Sequence, residues 1–426
     1  MDIDFIQSAF AHRIGGPAFG TKTQLYKFEK IKQAKREAQT ANPDKILIDM
    51  GIGEPDGMPN PKVVAALNQA TREPHNQSYA DNGGATFCQA VSKYMHAQFG
   101  VTLDPEMEIL HSIGSKAALS ILPACFINPG DVSIMTRPGY PIFGTHAQYY
   151  GGEVHALPLL EENSFLPRLQ DIPQGILDRA KVIVVNYPNN PTSACATQAF
   201  FEELVEFAHR HGLIVINDAA YASLTFGDKK LSLLQVPGAM DVCIELHSLS
   251  KSFNMTGWRL GWVCGNPQLI KAYGSVKDNT DSGQFLAIQE AGCTALNMPE
   301  ITEGLVQKYH RRMENLVHAL TSAGWPAKPS KGTFFVYVRA PKEAMGPKGL
   351  TYFNSAENFS QWLIKEMSIS TVPWDDAGAF VRFSTTFDAP TEADEILVIK
   401  ELAQRLGHSA AVEARGQRER AVLGGL

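Results

Sequence analysis

The run Lys181-Val-Ile-Val-Val is apolar without alternation, and it stops at a polar, proline-stiffened loop, Asn186-Tyr-Pro-Asn-Asn-Pro-Thr. A strand wetted on one face alternates polar and apolar residues. A strand written this way needs cover on both faces, as inside a parallel sheet. The device recurs along the chain. Glu108-Ile-Leu-His-Ser leads into Ile-Gly-Ser-Lys, Asp131-Val-Ser-Ile-Met-Thr into Arg-Pro-Gly-Tyr-Pro, and Gly212-Leu-Ile-Val-Ile into Asn-Asp-Ala-Ala-Tyr. Helical patterns lie between, at Ala85 to Phe99 and Phe200 to Arg210. Alternating strands and helices specify an α/β fold, with a mostly parallel sheet expected from about residue 60 to about residue 300. Polar residues collect at the strand carboxyl ends, where open α/β sheets bind ligands.

The stretch from Cys243 to Gly265 is the most informative of these ends. An apolar run through Val242, Ile244 and Leu246 stops at Ser248. Lys251 follows among hydroxyl residues, Gly257 and Gly261 bracket Arg259, and a second apolar run begins. The pattern predicts strand, loop, strand. An amine in such a loop can form a Schiff base with an aldehyde. Ser248, Ser250 and Arg259 can hold a phosphate. An aldehyde with a phosphate arm describes pyridoxal 5′-phosphate, although a lone Ser-x-Ser-Lys would be read better as a solvated surface loop.

The longer string decides between them. Ser248-Leu-Ser-Lys-Ser-Phe-Asn-Met-Thr-Gly-Trp-Arg-Leu-Gly resembles the cofactor-lysine signature of the class I aminotransferases, which are fold-type-I pyridoxal-phosphate enzymes. The resemblance covers nearly the whole chain and thins in roughly the last dozen residues. It implies an α/β fold: a large domain with a mostly parallel, seven-stranded type of sheet between helices, plus a small α+β domain. The expected division is 1–50 as an N-terminal arm and part of the small domain, 51–300 as the cofactor domain, and 301–426 as an inter-domain helix and the small domain. From Gly332 the pattern changes accordingly, with strands at Thr333–Val338, Ile369–Val372 and Ala379–Ser384 and a closing helix from Glu392.

Residue by residue, the resemblance implies a site. Lys251 carries the cofactor and shuttles a proton, which an arginine, with its higher pKa, could not do. Asp218 pairs with the pyridinium nitrogen, so that the ring accepts electrons. Asn190 and Tyr221 hold the 3′ oxygen, and Tyr140 stacks on the ring. Ser115, Lys116, Ser248, Ser250 and Arg259 cradle the phosphate, with Lys116 acting mainly through its backbone. Tyr79 reaches the phosphate of a neighbouring subunit, which makes a homodimer the expected assembly. Gly53 touches the substrate carboxylate through its backbone, and Arg382 grips it with two parallel hydrogen bonds. Because Arg382 lies in the small domain, substrate is expected to close the two domains.

Within that family, four strings are similar to the LL-diaminopimelate aminotransferases: Tyr26–Lys32, Ile113–Lys116, Val276–Phe285 and Ile369–Gly378. This implies amino-group transfer between LL-diaminopimelate and 2-oxoglutarate, on the way to lysine. Two segments depart from the plant-like branch. Gly51-Ile-Gly-Glu-Pro-Asp replaces a Gly-Asp-Thr-Thr-Glu-Pro turn, and Ala-Asp-Asn-Gly-Gly follows Tyr79 in place of Glu-Gly-Tyr-Gly. The contacts to the far end of the substrate are therefore not carried over. Arg382 would equally serve an alanine, aspartate or aromatic aminotransferase, and a carbon–sulfur β-lyase shares Lys251, Asp218 and Arg259.

Composition narrows the remaining classes. With a net charge of −6, the chain offers no basic surface for nucleic acid or an anionic membrane. A cofactor-binding transcription factor would need a basic DNA-binding module, for which the first 45 residues leave no room. The opening Met-Asp-Ile-Asp-Phe-Ile is acidic and unlike a signal peptide, and the six cysteines are scattered without a Cys-x-x-Cys. The expected compartment is the cytoplasm, with free thiols and no metal site.

Overall fold

A computed structural model of the chain describes residues 5–21, 27–227 and 230–407. Seven strands build the main sheet: β1 (Ile109–Ser112), β2 (Val132–Arg137), β3 (Glu153–Pro158), β4 (Ala180–Val185), β5 (Ile214–Asp218), β6 (Cys243–Ser248) and β7 (Gly261–Gly265). Their order across the sheet is β1-β7-β6-β5-β4-β2-β3. Strands β2 to β6 pair in parallel, and β7 runs antiparallel to both β6 and β1.

Neighbouring residues of one strand enter different cores, as unalternating apolar runs require. Ile183, Val215 and Trp262 pack on one side with Phe87, Val91 and Phe201. Val182, Val184, Ile216 and Leu246 pack on the other with Leu119, Leu122 and Phe143. The helices that cover these faces start and stop on local signals. Helix Gln198–His211 begins at Thr197, whose hydroxyl accepts the Phe200 amide at 3.1 Å, and ends at Gly212 with φ 65°. That left-handed turn, which glycine adopts freely, sends the chain back into β5.

A second core lies around three antiparallel strands, β8 (Phe335–Arg339), β9 (Val372–Trp374) and β10 (Phe380–Ser384), in the order β9-β10-β8. The strand expected over Ile369–Val372 is divided at Thr371. Ile369–Ser370 pairs in parallel with Ile48–Asp49, whereas Val372 registers with Arg382. One polar residue thus hands the chain from one sheet to another, which apolar periodicity does not reveal. The loop expected between β6 and β7 likewise contains a helical turn, Leu249–Ser252, because the Ser248 hydroxyl accepts the Ser250 amide at 3.1 Å and caps it. The arm segment 22–26 and the tail 408–426 lie outside the described residues.

Helix Pro299–Ser322 runs between the cores. Leu305 and Tyr309 pack with Tyr221 and Phe334, while Met313, Leu316 and Leu320 enter the second core. Arg312, fully buried on this helix, bonds Glu395 at 2.7 Å, Asp56 at 3.1 Å, and the carbonyls of Thr385, Phe387 and Ala389 at 2.9–3.0 Å. Such complete pairing offsets the cost of burying this guanidinium. Its removal leaves Glu395 to Arg311 and Asp56 to Lys308 and Tyr309, and it takes the guanidinium donor from three carbonyls and opens a buried void. We expect Arg312→Ala to lower unfolding stability by about 3–5 kcal/mol, read from urea denaturation; a loss under about 1 kcal/mol would show that water replaces the side chain.

Candidate active site

At the carboxyl ends of β4, β5 and β6 the chain encloses a cavity of about 240 Å3. Twelve of the thirteen predicted site residues lie at or beside it, supplied by strand ends and by the loop at 51–58. Lys251 projects from the helical turn after β6, and its Nζ donates to the Gly53 carbonyl at 2.9 Å. Burial pushes this amine down to about 8; Glu54 and Asp218 resist the shift, and Arg259 and Arg382 reinforce it. Asp218 closes β5 and is buried, which pushes its carboxyl up to about 6. The Ala220 amide donates to Asp218 at 3.3 Å.

Behind Asp218, on the far face of the sheet, sits a buried polar cluster. Glu245 accepts from Asn217 at 2.9 Å and from the Leu233 amide at 2.8 Å, and it meets His247 at 3.2 Å and the Ser232 hydroxyl. Burial alone would raise the Glu245 carboxyl, but these partners outweigh it and hold the group below its ordinary value. His247, stacked on Trp262, in turn favours the ionised form of Asp218.

The phosphate-sized end of the cavity is built around Arg259. This residue adopts φ 58°, and its Nη1 donates to the Thr256 carbonyl at 2.8 Å and to the Ser250 hydroxyl at 3.3 Å. Gly114 makes room for it: a Cβ there would stand 2.6 Å from Arg259 Nη2. Gly114 also opens helix Gly114–Phe126, which has no side-chain cap, and Ser115 and Lys116 in its first turn line the cavity. The uncapped amides, two serine hydroxyls and a guanidinium converge as a dianion requires. These residues therefore fit a phosphate, and an aldehyde next to it would meet Lys251.

Arg382 reaches the cavity from β10. It is buried, lies 4.0 Å over the Phe335 ring, and donates to Asn190 Oδ1 at 2.7 Å and to the Gly51 carbonyl at 3.3 Å. Burial pushes it down to about 10. Among the described residues no carboxylate pairs with it, and its Nε has no hydrogen-bond partner. A desolvated guanidinium left in this condition is prepared for a carboxylate from outside. Tyr221 lies buried nearby, with its hydroxyl raised by desolvation, and Tyr140 forms an outer wall, 37% exposed.

One expected residue is not brought in. Tyr79 is 98% exposed and lies with Gln77 and Phe285 on another surface depression. Two residues were missed. Asn186 ends β4, accepts the Asn190 amide at 2.9 Å and donates to the Asp218 carbonyl at 2.6 Å, so it ties two site loops together. Gln284 donates to the carbonyls of Trp258 and Arg259 at 3.0 and 2.8 Å. The position of Asn186, first polar residue after an apolar strand, was the available signal; Gln284 had none of its own.

Residues 45–397 match the family described as aminotransferase class I and II. The chain is 51% identical to an LL-diaminopimelate aminotransferase of Methanocaldococcus jannaschii, covering 94% of this chain and 97% of that one. It is 50% identical to the enzyme of the same name from Methanococcus maripaludis, with the same coverage. Among solved structures, the substrate-bound BacF structure from Bacillus subtilis superposes with a TM-score of 0.82 at 30% identity, over 94% of this chain and 98% of the other.

The lowered Lys251 amine has a consequence for stability. In the unfolded chain a lysine stays protonated up to about 10.5, whereas the folded protein releases this proton near 8. Between those values the unfolded state binds more protons, so stability rises with pH; below them the buried charge is a cost. Lys251→Met should therefore raise the melting temperature of the cofactor-free protein at pH 7, and the gain should fade between about pH 8 and pH 10.5. No gain at pH 7 would mean that the amine is solvated.

Proposed function

The chain belongs to the class I and II aminotransferases, and from that premise we propose that it is an LL-diaminopimelate aminotransferase. It is a pyridoxal-phosphate enzyme that moves an amino group from an amino acid to a 2-oxo acid in two half-reactions at one site. In the proposed reaction LL-2,6-diaminopimelate and 2-oxoglutarate interconvert with tetrahydrodipicolinate, water and glutamate, and the direction that forms diaminopimelate is a step of lysine biosynthesis. The near-full-length identity to relatives of that name supports the choice of substrate.

Bound in the cavity, pyridoxal phosphate supplies the electron sink for the carbanion at the substrate Cα. The chain supplies the rest. Lys251 would hold the cofactor through its Nζ; once displaced by the substrate amine, the free Nζ would take the proton from Cα and deliver it to the cofactor carbon. Burial lowers this amine to about 8, so that about a tenth of it is neutral at pH 7, against far less of an ordinary lysine. Asp218, buried and flanked by His247, keeps a negative charge against the pyridinium nitrogen. Asn190 and Tyr221 orient the 3′ oxygen. The first turn at Ser115 and Lys116 binds phosphate with Ser248, Ser250 and Arg259.

Arg382 is the observation that carries the substrate class, an α-amino or 2-oxo acid. A guanidinium buried beside Lys251, with no carboxylate partner among the described residues, receives the α-carboxylate of the substrate, with Gly53 beside it. The exposed Tyr79 is assigned to the site of a second copy, so the working form is a homodimer. No helix among the described residues is long and apolar enough to cross a membrane, and we place the enzyme in the cytoplasm.

A steady-state screen of amino donors with 2-oxoglutarate tests the substrate. LL-diaminopimelate should exceed alanine, aspartate and tyrosine in kcat/KM by at least about a hundredfold, a margin that a polar site built for a second amino-acid head can supply. Any of the three matching or beating it would overturn the assignment while leaving transamination intact.

A further inference from the structure

Past Tyr140 and Asn190 the reaction cavity opens into a second one of about 480 Å3. Arg382 lines its inner end. The other charged residues that line it are Arg137, where β2 ends, and Asp376, in the loop joining β9 to β10. They come from different cores and face each other with Arg137 Nε 3.7 Å from Asp376 Oδ1. That separation is an ion pair but too long for a hydrogen bond, so both groups keep bonding capacity for a ligand. Both line this cavity, and their side chains are 61% and 33% exposed to solvent.

The charges around them are engaged elsewhere. Asp375 accepts the amides of Ala356 and Glu357 at 2.7 and 3.1 Å, capping a helix. Arg339 pairs with Glu161 at 2.6 Å and lies over the Phe380 ring. Trp374 and Tyr140 supply apolar wall between the inner and outer charges. The arrangement is a guanidinium for an inner carboxylate, an apolar middle, and an opposed cation and anion at the outer end.

We propose that Arg137 and Asp376 form the distal subsite, with Arg137 receiving the far carboxylate of the substrate and Asp376 the far ammonium. The assignment rests on the reading of the chain as an LL-diaminopimelate aminotransferase. LL-diaminopimelate ends in two identical amino-acid heads. Arg382 and Lys251 engage one, and the other presents one negative and one positive group. Glutamate and 2-oxoglutarate use the same site in the other half-reaction, yet their far ends carry a carboxylate alone. Arg137 therefore serves both substrates. Asp376 discriminates between them: it attracts an ammonium and opposes a bare carboxylate.

The two positions give separable signatures. For Asp376→Asn, the ratio of kcat/KM for LL-diaminopimelate to that for glutamate should fall by at least about tenfold, as loss of a charge-assisted bond predicts, and Asp376→Glu should restore part of it. For Arg137→Gln, kcat/KM should fall for both donors. The dissociation constant of glutarate, which carries the far carboxylate and does not react, should also rise about tenfold or more. Turnover of glutamate reports folding of the Asp376 variants, and an unchanged melting temperature reports folding of Arg137→Gln. If Asp376→Asn leaves the ratio within about twofold, or Arg137→Gln leaves glutarate binding unchanged, the subsite is not here. If the wild-type enzyme does not use LL-diaminopimelate, the substrate reading itself falls, and that result is separate from either variant.

Discussion

Lys251 and Asp218 are held out of water at the carboxyl end of one parallel sheet, and the rest of the site depends on that desolvation. Burial moves the amine down and the carboxyl up, so each group is drawn toward neutral pH from its own side. Neither shift comes from a neighbour alone. Both require the apolar layers on the two faces of the sheet, which exclude water from the strand ends. The fold is in this sense part of the chemistry: strands that alternated polar and apolar residues would leave one face wet and the amine near its ordinary value.

The second core adds what the sheet cannot. Arg382 enters from β10, and Gly53 enters from a loop fixed through Asp56 to Arg312, Lys308 and Tyr309. Arg312 also ties Glu395 and three carbonyls of the chain after β10 to the same helix. The carboxylate grip and the loop over Lys251 thus share one anchor. Movement of one core relative to the other would shift Arg382 and Gly53 together, which suits a site that must admit two substrates in turn.

Much of this was legible in the sequence, for identifiable reasons. Residues at the ends of apolar runs, such as Asp218, Asn190 and Ser248, announce themselves because a parallel strand has nowhere to put a polar side chain until it ends. The long string around Lys251 and Arg259 did the same for the cofactor. Residues acting across the chain were not legible. Arg312 reads as one more charge on an amphipathic helix, and Glu245 as a flaw in an apolar strand; only the fold shows the partners that make their burial tolerable. Arg137 and Asp376 are likewise ordinary loop charges until β2 and the turn before β10 are placed side by side. Tyr79 differs again, since its expected role lies on a second copy of the chain.

The central claim is that residue 251, and no other lysine, bears the cofactor. It is tested most directly by reducing the pyridoxal-phosphate-loaded protein with borohydride and locating the label by peptide mass spectrometry. The account predicts one phosphopyridoxyl group per chain, on the peptide containing Lys251. A label on Lys116 or on a surface lysine, with Lys251 unmodified, would contradict it.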